Sequence, residues 1–395
     1  MIYREYGNAR IFGGPGTAAA GESAAGAGAA GTADGKTGPT GAGEKTAALG
    51  FGGMRFESPQ DTDKSAATVL RAFDKGITYF DTAPGYCEDQ SEIIMGTAIK
   101  EMKKRGGPFT ISTKSHKADG GELRAQLEES LRRLNVDTID YYNCWYVLTL
   151  EDWEKRKKGG AVDAILKAKE EGLIRHAVFS THLQGTDIRK VIEEGYFEGV
   201  TLGYSLLNST FRQDGIQAAA EHGMGVVVMN PLGGGLLTAN PDSFAFLKAR
   251  PEQSMLEAAL HFLLSDERIT VSLVGFRNED DVDSAVAAVE SFKPYGEEAL
   301  TRISRRVEGE FNEMCTSCMY CNVCPEDIPV WAFMETWNHY RLSEGESVND
   351  RLKYHWGTSI EVLQSCTSCR KCERACTQYL PILERFEELK AAVGG

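Results

Sequence analysis

At 395 residues, 42% hydrophobic and 25% charged, the chain has ordinary globular composition, with room for a barrel of about 250 residues plus a smaller module. A net charge of −14 argues against nucleic acid or an anionic membrane as partner. No apolar run is long enough to span a bilayer and Met1 to Tyr6 carries no apolar signal core, so a soluble, cytoplasmic protein is expected.

In chain order, the first feature is a stretch rich in Gly, Ala and Thr, residues 13–45, almost without large apolar side chains. It buries too little surface to offset its ordering entropy and reads as a flexible loop inserted in a hairpin turn. No strand–glycine–helix context surrounds it, which speaks against a phosphate loop. From Ala47 onward short apolar strands are expected over 48–51, 78–80, 109–113, 138–143, 175–179, 199–203, 225–229 and 270–274. Amphipathic patterns follow them over 63–75, 91–105, 122–135, 162–171, 186–194, 213–221, 253–265 and 279–290. Strict alternation points to parallel strands with crossover helices, and eight is the count at which such a sheet closes into a (β/α)8, or TIM, barrel. A doubly wound open sheet competes, but Gly50-Phe51-Gly52-Gly53 lacks the glycine spacing that usually follows its first strand. The barrel is placed at residues 1–300.

Barrel chemistry gathers where strands end. Phe80-Asp81-Thr82 ends one expected strand with a carboxylate, and Tyr86 presents a phenol five residues on. Lys114 ends the next strand. An ammonium between carboxylate and phenol would lower the phenol's pKa and make Tyr86 a proton donor to a carbonyl accepting hydride. A surface ion pair beside an ordinary tyrosine is the bland alternative.

Eight of the ten cysteines crowd the last part of the chain, with only Cys87 and Cys144 outside. The first motif is Cys315-Thr-Ser-Cys318-Met-Tyr-Cys321-Asn-Val-Cys324-Pro325, and the second is Cys366-Thr-Ser-Cys369-Arg-Lys-Cys372-Glu-Arg-Ala-Cys376. Evenly spaced thiolates can wrap a cube, and in two-cluster ferredoxins the fourth ligand comes from the other motif. One 4Fe-4S cluster would then take Cys315, Cys318, Cys321 and Cys376, and the other Cys366, Cys369, Cys372 and Cys324. Two departures stand: only two residues precede Cys324, and Thr377 replaces a second proline. Zinc sites and disulfides are the alternatives, but zinc sites usually pair two-cysteine knuckles across a longer loop. A mainly α-helical, ferredoxin-like iron–sulphur domain is expected at 301–395, its aromatics Trp331, Phe333, Trp337, Tyr340 and Trp356 packing a core. Two adjacent cubes favour electron transfer over mere stapling.

These segments together resemble the aldo-keto reductase family, in the branch fused to a C-terminal two-cluster ferredoxin-like domain. The resemblance runs through Tyr3-Arg4-Glu5-Tyr6-Gly7, Leu49 to Arg55, Phe80 to Ala83 with Tyr86, Ser112-Thr113-Lys114, Asp140-Tyr141-Tyr142 and Asn230 to Leu237. It implies a metal-binding oxidoreductase using NADPH or NADH to reduce a carbonyl or related unsaturated small molecule. Asp81, Tyr86 and Lys114 match three members of the family's tetrad, while its histidine falls at Trp145, whose indole donates one hydrogen bond but cannot ionise. His116 or His182 could substitute. The resemblance further implies cofactor contacts at Ser180, at Asn230, Pro231 and Leu232 near the pyrophosphate, and at Gly275, Phe276, Arg277 and Asp283 on the adenosine side. Arg277 would favour a 2′-phosphate. Hydride and one-electron chemistry need a two-electron carrier between them, and no flavin motif is recognisable. A ferredoxin or flavoprotein partner is therefore expected. An electron-transfer or docking subunit with a catalytically degenerate barrel stays open.

Overall fold

The computed structural model describes residues 1–7, 45–311, 313–343 and 347–394. Two short strands, β1 (Tyr3–Glu5) and β2 (Lys45–Ala47), pair antiparallel with Arg4 opposite Thr46. The insert read at 13–45 lies outside the described residues except for Lys45, which opens β2; the strands flanking it do form the expected hairpin.

Next come β3 (Leu49–Gly52), β4 (Tyr79–Asp81), β5 (Thr110–Ser115), β6 (Ile139–Val147), β7 (Ile174–Thr181), β8 (Gly199–Gly203), β9 (Gly225–Met229) and β10 (Val271–Gly275). All are parallel, and β10 pairs back onto β3 to close the barrel. The helices between them carry the apolar stripes that the periodicity demanded. In Gly120–Leu134, Leu123, Leu127 and Leu134 face inward; Asp119 caps the start by accepting from the Gly121 and Glu122 amides, and left-handed Asn135 ends it. Two features differ from expectation. β6 runs past its expected end at 143 to Val147, and an unforeseen helix, Leu150–Lys158, follows it, started by the Thr149 cap.

The N-terminal hairpin delivers Tyr6 to the lower opening, where its ring lies 4.4 Å from that of Tyr141. Gly199 and Gly225 make room for it: a Cβ at either would come within 2.2 Å of the phenol. Gly225→Ala is accordingly expected to lose about 1–3 kcal/mol, read by urea denaturation, because the packed Tyr6 ring fills the space that the added methyl needs. Arg4 donates to the carbonyls of Leu264, Asp266 and Ile269, tying the hairpin to the end of helix Met255–Leu264.

The C-terminal module is mainly helical, as expected, with Val330–Leu342 packed on Ile382–Gly394. Phe333 stacks edgewise on Phe386, Trp331 on Trp356, and the Trp337 indole donates to Glu388 at 2.6 Å. Tyr340 departs from the aromatic core that was read there, being 43% exposed. The boundary expected at 300/301 falls inside one helix, Glu297–Glu310, and Phe311 beyond it packs on Phe244 of the barrel at 5.0 Å. Among the described residues no helix is long and apolar enough to cross a membrane.

Candidate active site and cysteine sets

Parallel strands put Asp81 at the end of β4 beside β5, whose residue Ser112 is its register partner. The Lys114 ammonium donates to one Asp81 oxygen at 2.6 Å and the Ser112 hydroxyl to the other at 2.9 Å. The pair is nearly closed to water, with side-chain exposures of 4% and 7%. Asn143 on β6 donates to Ser112 at 3.1 Å, extending the network across three strands. Tyr86 is carried on a tight loop in which Cys87, Glu88 and Asp89 all adopt positive φ, held by a two-pronged Asp89–Arg133 contact and by the Gly85 amide on Asp89. Three successive left-handed residues without a glycine store backbone strain in the loop that aims the phenol.

Asp81, Tyr86, Lys114 and Trp145 therefore converge, as the sequence suggested. Lys114 Nζ lies 5.0 Å from the centre of the Tyr86 ring and 5.9 Å from that of Trp145, and the two rings meet edge to face at 5.6 Å. The expected lowering of the phenol is corrected. Burial, then Asp81, pushes Tyr86 well above the usual tyrosine range, with Arg55 opposing. The Lys114 charge is engaged by Asp81 and faces the ring rather than drawing the phenol down.

Trp145 sits inside β6, not after it, at a bulge between Cys144 and Val147 where Tyr146 takes φ +72°. Bulges re-aim side chains, and this one sends Tyr146 against Tyr320 of the C-terminal module, 5.0 Å away. Tyr320 also meets His182 at 5.1 Å, and Tyr86 is among the groups acting on it. Sequence reasoning missed Tyr320, because nothing in a cysteine spacing says which way an intervening side chain points. The two candidate histidines part company. His116 is exposed, 5.7 Å from the Trp145 ring. His182 is buried and held down to about 3 by burial and then Arg212, hence neutral, with Nδ1 unpartnered.

Of the expected cofactor contacts, Ser180 is buried near the end of β7. Asn230 (φ +62°) accepts from the Gly234 amide and shapes a loop in which Gly233, Gly234 and Gly235 all have positive φ. Pro231 is buried and Leu232 half-buried. The loop meets the module: a Cβ on Gly234 would lie 2.2 Å from the Thr316 carbonyl. On the adenosine side two residues have other partners in this structure. Phe276 is wholly buried, 5.2 Å from Phe51 in the core. Asp283 is engaged by both arms of Arg71, at 2.9 and 2.7 Å, and by Lys75 at 3.5 Å. Gly275 is exposed against Arg55, and Arg277 is clasped by Asp281 at 2.9 and 3.0 Å.

The eight C-terminal cysteines lie in two neighbourhoods. Burial pushes the Cys315 thiol far up, and Cys318, Cys321 and Cys376 are the cysteines acting on it. Cys324, Cys366, Cys369 and Cys372 line one cavity, with Ile328, Val330 and Phe386 behind them. Among the described residues no group of three or more His, Cys, Asp or Glu is gathered so as to hold a metal ion.

The model of the Aldo/keto reductase family matches residues 48–307, ending before Cys315. Over 299 residues the chain is 28% identical to the L-galactose dehydrogenase of Arabidopsis thaliana, covering 67% of this chain and 92% of that protein. It is 28% identical over 218 residues to the NADH-specific methylglyoxal reductase of Escherichia coli K12, covering 49% of this chain and 64% of that protein. Among solved structures, the holo form of aldo-keto reductase AKR11C1 from Bacillus halodurans aligns at 24% identity and a TM-score of 0.58, over 67% of this chain and 93% of that one. An aldo/keto reductase from Klebsiella pneumoniae in complex with NADP and acetate aligns at 21% identity and 0.54, over 67% and 92%. These two likenesses show the fold. With barrel, strand-end residues and family match in agreement, the chain belongs to the aldo/keto reductase family and is an oxidoreductase.

Proposed function

We propose that this protein is a nicotinamide-linked reductase of a carbonyl or related unsaturated small molecule, with two 4Fe-4S clusters in its C-terminal module for electron transfer. The buried Lys114–Asp81 pair beneath Tyr86 and Trp145 carries the reading. A nicotinamide, when bound, supplies the hydride. Tyr86 donates its proton to the substrate oxygen, with the Lys114 ammonium 5.0 Å from the centre of its ring. Asp81 fixes Lys114, and Trp145 walls the pocket in place of the family's histidine. Ser180 and the loop Asn230, Pro231, Leu232 suit the nicotinamide and pyrophosphate ends. At the adenosine end Gly275, Phe276, Arg277 and Asp283 complete the proposed contacts, Arg277 on leaving Asp281 and Asp283 on leaving Arg71.

The tyrosine test follows from its position. Tyr86→Phe is expected to lower kcat by roughly 10²–10⁴ with nucleotide binding retained. Because burial raises Tyr86, the acid form persists through neutral pH, and the alkaline fall in rate lies above the usual tyrosine range. Full activity in Tyr86→Phe, or no binding of NADPH or NADH, would defeat the reading.

For the clusters, the donor set fits: two groups of four cysteines, each drawing its last member from the other motif. A single ion asks for thiolates at about 2.3 Å from one centre, whereas a cube offers each thiolate its own iron. Clusters held there would supply one-electron chemistry. A ferredoxin or flavoprotein partner belongs to the proposal, since hydride and one-electron chemistry need a two-electron carrier between them. Anaerobic iron and acid-labile sulphide analysis tests this half.

A further inference from the structure

Arg212, on helix Ser209–Glu221, has none of its surface exposed. On the barrel side its guanidinium donates to the carbonyls of His182 at 3.0 Å, Leu183 at 3.3 Å, and Gly203. On the module side it donates to the Thr377 carbonyl, next to Cys376. Thr377 in turn places its hydroxyl 3.2 Å from the Cys318 sulphur. All four acceptors are neutral, and among the described residues no carboxylate pairs with this cation. The acidic groups that act on it are Tyr379, Cys318 and Cys376.

A buried, unmatched guanidinium is costly, and it stays protonated at neutral pH. Neutral thiols and phenols cannot offset that charge. Four thiolates around a cube can. We propose that Arg212 is the charge partner of the first cysteine set, Cys315, Cys318, Cys321 and Cys376, raising the reduction potential of the cluster held there. The inference rests on the iron–sulphur reading above. Its sign follows from charge: reduction adds an electron, and a fixed cation stabilises the more negative state. The cations beside the second set are exposed: Lys371, Arg370, which is already paired with Glu373, and Arg374, which donates to the Cys369 carbonyl. Water screens those. The set against the barrel mouth is thus the higher-potential one, so electrons settle beside Tyr320. Arg212 acts through the cluster as a positioning residue, linking that charge to the three carbonyls at the ends of β7 and β8.

The test is an anaerobic redox titration of the full chain by electron paramagnetic resonance, with iron and sulphide counted in each sample. Arg212→Gln is expected to lower the potential of one cluster by at least tenfold in its reduction equilibrium, about 59 mV for one electron, leaving the other in place. Arg370→Gln is expected to shift neither. Unchanged potentials in Arg212→Gln with full iron, or an equal shift in Arg370→Gln, would overturn the proposal. If Arg212→Gln fails to assemble the first cluster, Arg212→Lys decides. A retained cluster near the wild-type potential supports the charge, whereas loss there too means that the shape of the guanidinium mattered, and overturns it. Wild-type protein without iron and sulphide would instead sink the reading beneath.

Discussion

Replacing Asp81 with asparagine is expected to cost about 3–5 kcal/mol of stability and to abolish most of the activity. The amide keeps the shape of the side chain and can still accept from Ser112, but it withdraws the negative charge 2.6 Å from the Lys114 ammonium. With side-chain exposures of 4% and 7%, that ammonium has no water to turn to. The double variant Asp81→Asn with Lys114→Met separates stability from chemistry. Removing both charges leaves nothing uncompensated, so most of the lost stability returns while the rate stays low. Urea denaturation beside kcat measurement reads both quantities. Wild-type stability in the single variant would mean that Lys114 finds another partner and that the strand-end pair has been misread.

The barrel was legible because it is built on local periodicities: each strand is a short apolar run, each helix an apolar stripe with its own cap. Asp81, Tyr86 and Lys114 were legible for a related reason. Asp81 and Lys114 lie at strand ends and Tyr86 in the loop that follows β4, and a closed parallel barrel gathers strand ends on one face. What stayed hidden depends on contacts between distant segments or on backbone conformations that residue type does not announce. Tyr146 at φ +72° is a tyrosine in a region favouring glycine, and the bulge that puts it there has no sequence mark. Tyr320 reads as one of two residues between cysteines, yet it reaches His182, 138 positions earlier in the chain. The direction of the Tyr86 shift could not be read either, since it turns on how much of the phenol is enclosed. Phe276 and Asp283 were placed on a nucleotide by resemblance to a loop, whereas the core and Arg71 hold them here.

Cys324→Ala and Cys376→Ala are expected to have crossed effects, each removing the cluster built mainly by the other motif. The crossing follows from which sulphurs face one another. Cys324 shares a cavity with Cys366, Cys369 and Cys372, and it acts on Cys372, whose thiol burial pushes up to about 11. Cys376 acts on Cys315 and on Cys321, whose thiol burial pushes up to about 12. Iron should fall from roughly eight to roughly four atoms per chain in either variant. Alkylation followed by mass spectrometry shows which four are lost, because thiolates on iron are shielded. In Cys324→Ala the reagent should mark Cys366, Cys369 and Cys372 and spare Cys315, Cys318, Cys321 and Cys376. In Cys376→Ala the marks should move to Cys315, Cys318 and Cys321. The reverse pattern would mean that each motif closes its own cluster, and zinc without sulphide would mean that no cube forms. The crossed pattern also bears on docking: Cys376 is followed by Thr377, whose carbonyl Arg212 holds, so only Cys376→Ala should loosen the module from the barrel mouth. Faster proteolysis after residue 311 in that variant alone would register the difference, since a four-cysteine set that spans both motifs fixes the chain at Thr316, against the Gly234 loop, and at Thr377, against Arg212, together.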